Sequence, residues 1–181
     1  MASVEPPVFI GYAKLPMFRP RRRGLPTDVV TLSTCHVPGR TPPFDWPNFW
    51  PPRELVLEWV RARDPSYWVL EVALLAYSFE TLQAEAPWVL KGPLGIHGLR
   101  ATLLGYEVIG FEDSGQIHSW RCHEYELEQP VGRDWSLNQF GLIPKPDQAE
   151  DALNSIQRLP PEDSPYEIPW AVAQLSLVGD I

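Results

Sequence analysis

The sequence predicts an α+β fold, in which a mainly antiparallel sheet packs against two or three helices and long loops rich in proline and tryptophan are ordered. Strand-like runs come first, then helical patterns, a hairpin, one more helix and an apolar last strand, an order typical of α+β folds. The 181 residues suit one domain, and 44% hydrophobic residues are enough for a core. The 21 prolines cluster between elements, which indicates ordered connections.

The N-terminal part is predicted to be irregular. We expect residues 1–181 to form a single globular domain whose proline-rich region 1–50 packs on the core. Two strands are predicted there, Val8 to Lys14 and Asp28 to Val37, because both runs are rich in strand-forming residues. Prolines then surround four aromatic residues between Pro38 and Pro52, which predicts an ordered loop held by aromatic burial.

Two helices are predicted next. Apolar residues recur every three or four positions from Pro52 to Arg63, and proline at the first turn favours a helix start. A longer, mostly buried helix is predicted from Ser66 to Ala84, where apolar residues step by four and three. The run from Val69 to Phe79 also fits a pair of buried strands, so that alternative stays open.

The second half of the chain contains a predicted hairpin. Its strands are Tyr106 to Glu112 and Gln116 to Tyr125, joined at Asp113-Ser114-Gly115. A short helix is expected before it, from Leu99 to Leu104, with Gly105 as a left-handed stop. After the hairpin the sequence predicts a glycine-dependent turn at 137–141, a helix from Asp147 to Arg158 and a final strand from Ile168 to Val178.

The charge and the cysteine count limit the function classes. A net charge of −8 and a pI near 5.0 argue against nucleic-acid binding, which needs clustered cationic side chains. The two cysteines, Cys35 and Cys122, are too few for a disulfide framework and favour a reducing compartment. No signal peptide and no membrane span is recognised, since the most apolar run, Trp68 to Tyr77, is short and contains Glu71. We therefore expect a cytoplasmic protein without membrane contact.

Acidic residues are concentrated in and after the hairpin. Three glutamates alternate from the end of the predicted second strand onward, and two acidic residues lie beside the turn. Such a face steers and orients a basic partner, although a merely solvated sheet face has the same pattern. The predicted partner-binding residues, which include two aromatic anchors, are Glu112, Asp113, Trp120, Glu124, Tyr125, Glu126 and Glu128.

A metal or thiol site is the chemical alternative. Cys35, His118 and Cys122 supply thiol and imidazole groups, and His118 and Cys122 share a face if the strand is regular. No metal-ligand pair with the usual spacing and no catalytic motif is present, and buried cysteine needs no ligand to explain it. We therefore expect no cofactor, no metal and no catalytic residue. An anion-binding role for the arginines at positions 19 and 21–23 stays open.

Two segments resemble a pattern found in small uncharacterised bacterial proteins. The segments are GYEVIGFEDSGQIHSWRCHEYE and WSLNQFGLIPKPDQAEDALNSI, within residues 99–157. Many proteins of that kind are immunity or immunity-like proteins that neutralise toxins of competing bacteria. The matching positions are Gly105, Tyr106, Gly110, His118, Ser119, Trp120, Leu137, Asn138, Gly141 and Leu142. The chain departs from the pattern at His123, where asparagine is expected after the cysteine.

The resemblance and the acidic hairpin together predict a non-enzymatic binding protein. Its expected partner is a protein, such as a basic toxin domain, whose active site it would occlude. Two alternatives stay open at this point: an enzyme centred on His118, Cys122 and Cys35, and an accessory subunit of a larger bacterial assembly. The sequence does not determine the oligomeric state.

Overall fold

A computed structural model describes residues 5–16, 29–33, 53–90, 99–113, 116–120, 136–159 and 167–179. These residues form a curled five-stranded sheet in which every neighbouring pair is antiparallel, in the order β1-β2-β5-β3-β4. The strands are β1 Val8–Pro16, β2 Tyr67–Leu74, β3 Ala101–Phe111, β4 Ile117–Ser119 and β5 Trp170–Val178. The helices are α1 Arg53–Ala62, α2 Ala76–Glu85 and α3 Pro146–Gln157, with a 3₁₀ helix at Pro87–Leu90. The α+β prediction is therefore confirmed.

One face of the sheet carries the larger apolar core. Alternate residues of β5 point to this face, among them Ala171, Ala173 and Leu175. They pack with Leu82 of α2, with the 3₁₀ helix, and with buried side chains of the 29–33 segment. Because the two β5 alanines are small, they leave room for the larger side chains of these neighbours.

The opposite face is covered by two helices. The buried residues of α3 are those the helical spacing predicts, Ala149, Ala152, Leu153 and Ile156, and they pack with Tyr106, Val108 and Val172. Helix α1 places Val56 against Phe9, Tyr12 and Val178. The sheet is thus buried on both faces, which explains why several of its strands have nearly continuous apolar sequences.

Helix α2 begins where β2 stops. The Leu75 amide donates to the Val172 carbonyl over 3.2 Å, and the Val172 amide donates to the Ser78 hydroxyl over 2.8 Å. These two bonds continue the pairing of β5 for one step beyond the last residue of β2. The buried Ser78 hydroxyl therefore satisfies a backbone donor that would otherwise lie unpaired at this step.

The predicted helix from Ser66 to Ala84 is wrong in its first half, which is strand β2, while its second half is α2. Strand β2 lies between β1 and β5 and is covered on both faces, so its apolar residues do not alternate. A short apolar run of this kind matches helical spacing by chance. The alternative of buried strands is correct up to Leu74.

The short helix predicted from Leu99 to Leu104 is also wrong. Strand β3 runs from Ala101 through Gly105 to Phe111, and Gly105 has a φ of 150° at a bulge opposite β5 rather than at a helix end. Pairing with the central strand β5 overrides the local preference of this segment. The glycine allows the bulge, not a helix stop.

Other predicted elements are confirmed or shortened. Strand β1, helices α1 and α3, the hairpin pairing and the last strand are present as expected. The second hairpin strand was predicted to reach Tyr125, but β4 ends at Ser119 and Trp120 is already helical. In the strand predicted from Asp28 to Val37, Val29 forms an isolated bridge and residues 30–33 are not in a strand. The 38–52 loop lies outside the described residues.

Candidate functional site at the hairpin end of the sheet

The β3–β4 hairpin exposes acidic residues at one end of the sheet. Gly110 pairs with His118 and Phe111 with Ile117, and the Glu112 amide donates to the Gln116 carbonyl over 3.0 Å. This pairing puts Glu112 and Asp113 at the start of the turn, where Asp113 is exposed and Glu112 is partly exposed. The hairpin predicted from the sequence therefore has its acidic turn at the sheet end.

His118 is buried beside this turn and contacts Glu112. Its Nε2 atom lies 2.7 Å from Glu112 Oε1, and the side chains are 3% and 25% exposed. A carboxylate at this distance orients the imidazole ring. Catalysis would require a substrate to reach the ring, and the low exposure of His118 restricts that access. The contact holds the end of β3 to β4.

The structure describes only part of the predicted metal or thiol site. Cys35 and Cys122 lie outside the described residues. Within the described part of the chain, no group of three histidine, cysteine, aspartate or glutamate residues is arranged to hold a metal ion. The metal alternative remains a prediction.

The predicted partner-binding residues are also described in part. Trp120 is buried and packs in the cluster that contains Tyr106, Trp170 and the apolar face of α3. Its indole belongs to the core in this conformation and is not exposed to a partner. The other four predicted residues of this face lie outside the described residues: Glu124, Tyr125, Glu126 and Glu128.

A cleft of about 350 Å³ adjoins the hairpin end. Its walls come from the end of α3, the end of α2 and the residues that lead into β5, and Glu85, Gln157 and Glu167 are exposed around it. The Phe111 amide donates to the Pro169 carbonyl over 3.1 Å, which joins the cleft wall to the residue before Glu112. We call the group formed by Glu85, Glu112, Asp113 and Glu167 the acidic end.

The sequence interpretation missed two members of the acidic end, Glu85 and Glu167. They are far from the hairpin in sequence, and exposed glutamates at a helix end or in a loop are ordinary. The register in which β3 pairs with β5 brings Glu167 near the hairpin, because it sets Gly110 opposite Trp170. This register cannot be inferred from a local sequence pattern, so the grouping of the four acidic residues is apparent only in the structure.

Glu107 is a fully buried glutamate on the face of β3 that points away from α3. Glu107 accepts hydrogen bonds from the Thr31 hydroxyl over 2.6 Å and from the Leu32 amide over 2.8 Å. The same segment is bound again where the Val30 amide donates to the Phe140 carbonyl over 3.0 Å. Glu107 therefore fastens the 29–33 segment to the sheet. One charged residue within an apolar strand was the sequence feature that could have singled it out.

The residues that carry the resemblance have packing roles around β3. Asn138 Oδ1 accepts from the Phe140 and Leu142 amides, and its Nδ2 donates to the Leu104 carbonyl over 2.6 Å. Gly141, with a φ of 69°, confirms the predicted glycine-dependent turn. Tyr106 and Ile143 exchange backbone hydrogen bonds of 2.8 and 2.9 Å, which hold this turn to β3. These contacts join the turn at 138–143 to β3.

No protein-family model matches this chain, and comparisons with curated proteins and with solved structures give no significant match. Among the described helices, none is long and apolar enough to cross a bilayer.

Proposed function

We propose that this chain is a non-enzymatic binding protein whose acidic end contacts a basic surface of a protein partner. In its specific form, the proposal is an immunity-type protein that neutralises a bacterial toxin by covering its active site. The observation that supports it best is the Phe111–Pro169 hydrogen bond, which joins the strand that leads into the acidic turn to a residue that lines the cleft. The resemblance of residues 99–157 supports the specific form.

The proposed mechanism is electrostatic attraction followed by steric cover. A chain with a net charge of −8 attracts a basic partner over about one Debye length, roughly 8–10 Å at moderate salt. The exposed carboxylates of the acidic end would then fix the orientation of the complex. The proposal extends this face to Glu124, Tyr125, Glu126 and Glu128. Trp120 would have to leave the core to act as an anchor, so the acidic side chains carry the contact.

Two alternative functions predict different properties of the purified protein and its complexes. An enzyme at His118, Cys122 and Cys35 would contain stoichiometric zinc or a reactive thiol, which elemental analysis and thiol titration of the purified protein measure directly. An accessory subunit would form a stable complex with a partner that has no toxic activity. Both outcomes differ from the proposal, in which a toxin is bound and inhibited.

The test compares a charge-reversal variant of the proposed face with a charge-reversal variant of α1. Asp113→Lys, Glu124→Lys and Glu126→Lys together reverse the proposed face. Glu54→Lys with Glu58→Lys reverses exposed charges of α1, which packs on β1 and β2 rather than at the hairpin. Tagged wild-type protein is used to capture partners from its own cells and to bind effector domains encoded beside its gene. Affinity is then measured by calorimetry at two salt concentrations.

The proposal expects the wild-type protein to bind such an effector and to restore growth when both are produced in one cell. The hairpin variant should bind at least about tenfold more weakly and lose most of the salt dependence, while the α1 variant stays close to wild type. Equal affinity of the hairpin variant and the wild type would show that the acidic end does not contact the partner. Binding without protection of growth would favour the accessory-subunit rival.

A further inference from the structure

We propose that the cleft at the end of α3 is a receptor for a single arginine side chain of the protein partner. The inference rests on the proposed function for the identity of its partner. It adds the chemistry of the central contact, namely a guanidinium group held between two carboxylates over an apolar wall.

The walls of the cleft suit the aliphatic part of an arginine. Ile168 and Pro169, at the entry to β5, are partly exposed and supply apolar surface, while Ile156 and Trp170 in the lining are buried. An arginine side chain lies along such surface with its methylene groups while its charged head stays near water.

The rim of the cleft suits the charged head. Glu85 comes from the end of α2 and Glu167 from the residues before β5, so carboxylates flank the cleft from two separate elements. The planar guanidinium donates from several N–H groups in fixed directions and pairs with carboxylates in a bidentate manner. The side-chain carbonyl of Gln157 is a further acceptor in the lining. The cleft thus combines partly exposed apolar side chains with the exposed acceptors of Glu85, Gln157 and Glu167.

The volume limits the occupant to something small. Pockets for drug-sized ligands span about 300–1,000 Å³, so a cleft of about 350 Å³ is at the lower limit. This space accommodates one long side chain of a partner. Phosphate-bearing ligands are disfavoured by the two carboxylates.

The position of the cleft agrees with a role in the same contact as the hairpin turn. Ile168, which lines the cleft, packs so tightly against β3 that a Cβ atom on Gly110 would lie 2.6 Å from Ile168 Cδ1. The cleft wall is therefore held rigidly next to the strand that leads into Glu112 and Asp113. A partner that covers the acidic turn would place its neighbouring side chains over the cleft.

The experiment uses three small probes on the full chain. Nuclear magnetic resonance titrations follow the Ile156 and Ile168 methyl signals and the Trp170 indole signal with N-acetyl-arginine methylamide. The citrulline analogue has the same shape without the charge, and the lysine analogue has the charge without the planar fork. We expect saturable shifts with the arginine probe, weaker ones with lysine and none with citrulline.

Variants of the rim decide whether the carboxylates are responsible. Glu85→Gln with Glu167→Gln should raise the Kd of the arginine probe about threefold to tenfold, since the carboxylates are exposed and their attraction is screened. Glu54→Gln with Glu58→Gln on α1 removes the same charge elsewhere and should leave the Kd unchanged. No saturable shift at the cleft, or equal shifts with citrulline, overturns the inference.

Failure of this inference and failure of the proposed function give different results. If the probe does not bind but the charge-reversed hairpin variant loses its partner, only the arginine receptor is rejected. If the probe binds as expected but no toxin is bound or neutralised, the cleft remains a receptor for a basic side chain and the immunity role is rejected.

Discussion

The side chain of Asn138 and the backbone of Gly105 are in such close contact that a Cβ atom on residue 105 would lie 3.0 Å from Asn138 Nδ2. The same Cβ atom would lie 2.7 Å from Leu142 Cβ and 2.9 Å from the Ile143 carbonyl oxygen. The bulge in β3 and the turn at 138–143 therefore fit each other only because residue 105 has no side chain.

Replacing Gly105 with alanine should destabilise the domain strongly. Its φ of 150° is unfavourable for a residue with a Cβ atom, and the new atom would overlap backbone and side chain of the turn. The expected loss is about 2–4 kcal/mol of unfolding free energy, measured by urea denaturation. Gly179→Ala is the comparison, because its nearest contact would be the Arg100 carbonyl oxygen at 3.3 Å. Equal losses for both variants would contradict the packing argument.

Asn138 should stabilise the protein through its side-chain hydrogen bonds, and two variants distinguish its acceptor oxygen from its donor nitrogen. Asn138→Ala removes all three hydrogen bonds and should lower the unfolding free energy by about 2–3 kcal/mol. Asn138→Asp keeps the acceptor for the Phe140 and Leu142 amides but replaces the donor to the Leu104 carbonyl with a second acceptor. We expect it to be destabilised near neutral pH, where the aspartate is charged. If it were as stable as wild type in urea, the Leu104 bond would contribute nothing.

The contact between Glu107 and Thr31 should appear as coupling in a double-mutant cycle. Glu107→Gln puts an amide donor on a buried group that now accepts two hydrogen bonds, and Thr31→Val removes the hydroxyl donor while keeping the shape. Each single change should destabilise the protein, and the pair should lose less than the sum, with a coupling of about 1–3 kcal/mol. Ser155→Ala, which removes an exposed bond to the Asp151 carbonyl, is the control. Additive losses for Glu107 and Thr31 would contradict direct coupling.

Among the elements that were predicted correctly, helix α3 has a pattern set by one neighbouring surface, whereas β5 has a nearly continuous apolar run. Helix α3 has one buried face, and its spacing shows that face directly. Strand β2 is covered on two faces, and β3 contains a bulge where it pairs with β5. Neither strand therefore shows a regular alternation of apolar and polar residues. In both cases tertiary burial overrides the local pattern.

Only those residues of the candidate site that are close together in sequence could be predicted. The Asp113-Ser114-Gly115 sequence predicts a turn, and Glu112 and Asp113 follow from it. The contribution of Glu85 and Glu167 depends on the pairing of β3 with β5 and on where α2 ends, which are long-range properties. The contact between His118 and Glu112 could be inferred only in part, because it requires the hairpin register in which Gly110 faces His118.

Tyr77 should make the stability depend on pH in the alkaline range. Burial raises the pKa of its phenol to about 12, the nearby charge of Glu150 adds to this, and the Ser78 hydroxyl lowers it slightly without reaching hydrogen-bond geometry. The unfolded chain releases this proton near pH 10, whereas the folded protein keeps it until about 12. Between these values the unfolded state binds fewer protons, so the stability falls as the pH rises.

Tyr77→Phe should remove this part of the pH dependence. Near neutral pH the Tyr77 phenol is protonated in both the folded and the unfolded wild-type chain. The stability of the variant should therefore equal or slightly exceed that of the wild type, since the variant loses a buried hydroxyl oxygen that has no hydrogen-bond partner. As the pH rises above 10, the melting temperature of the wild type should fall faster than that of the variant. Tyr67→Phe, at a ring that is 41% exposed, is the control and should keep the wild-type slope. Equal slopes for Tyr77→Phe and wild type would mean that the Tyr77 phenol ionises alike in the folded and unfolded chains, which its buried hydroxyl oxygen argues against.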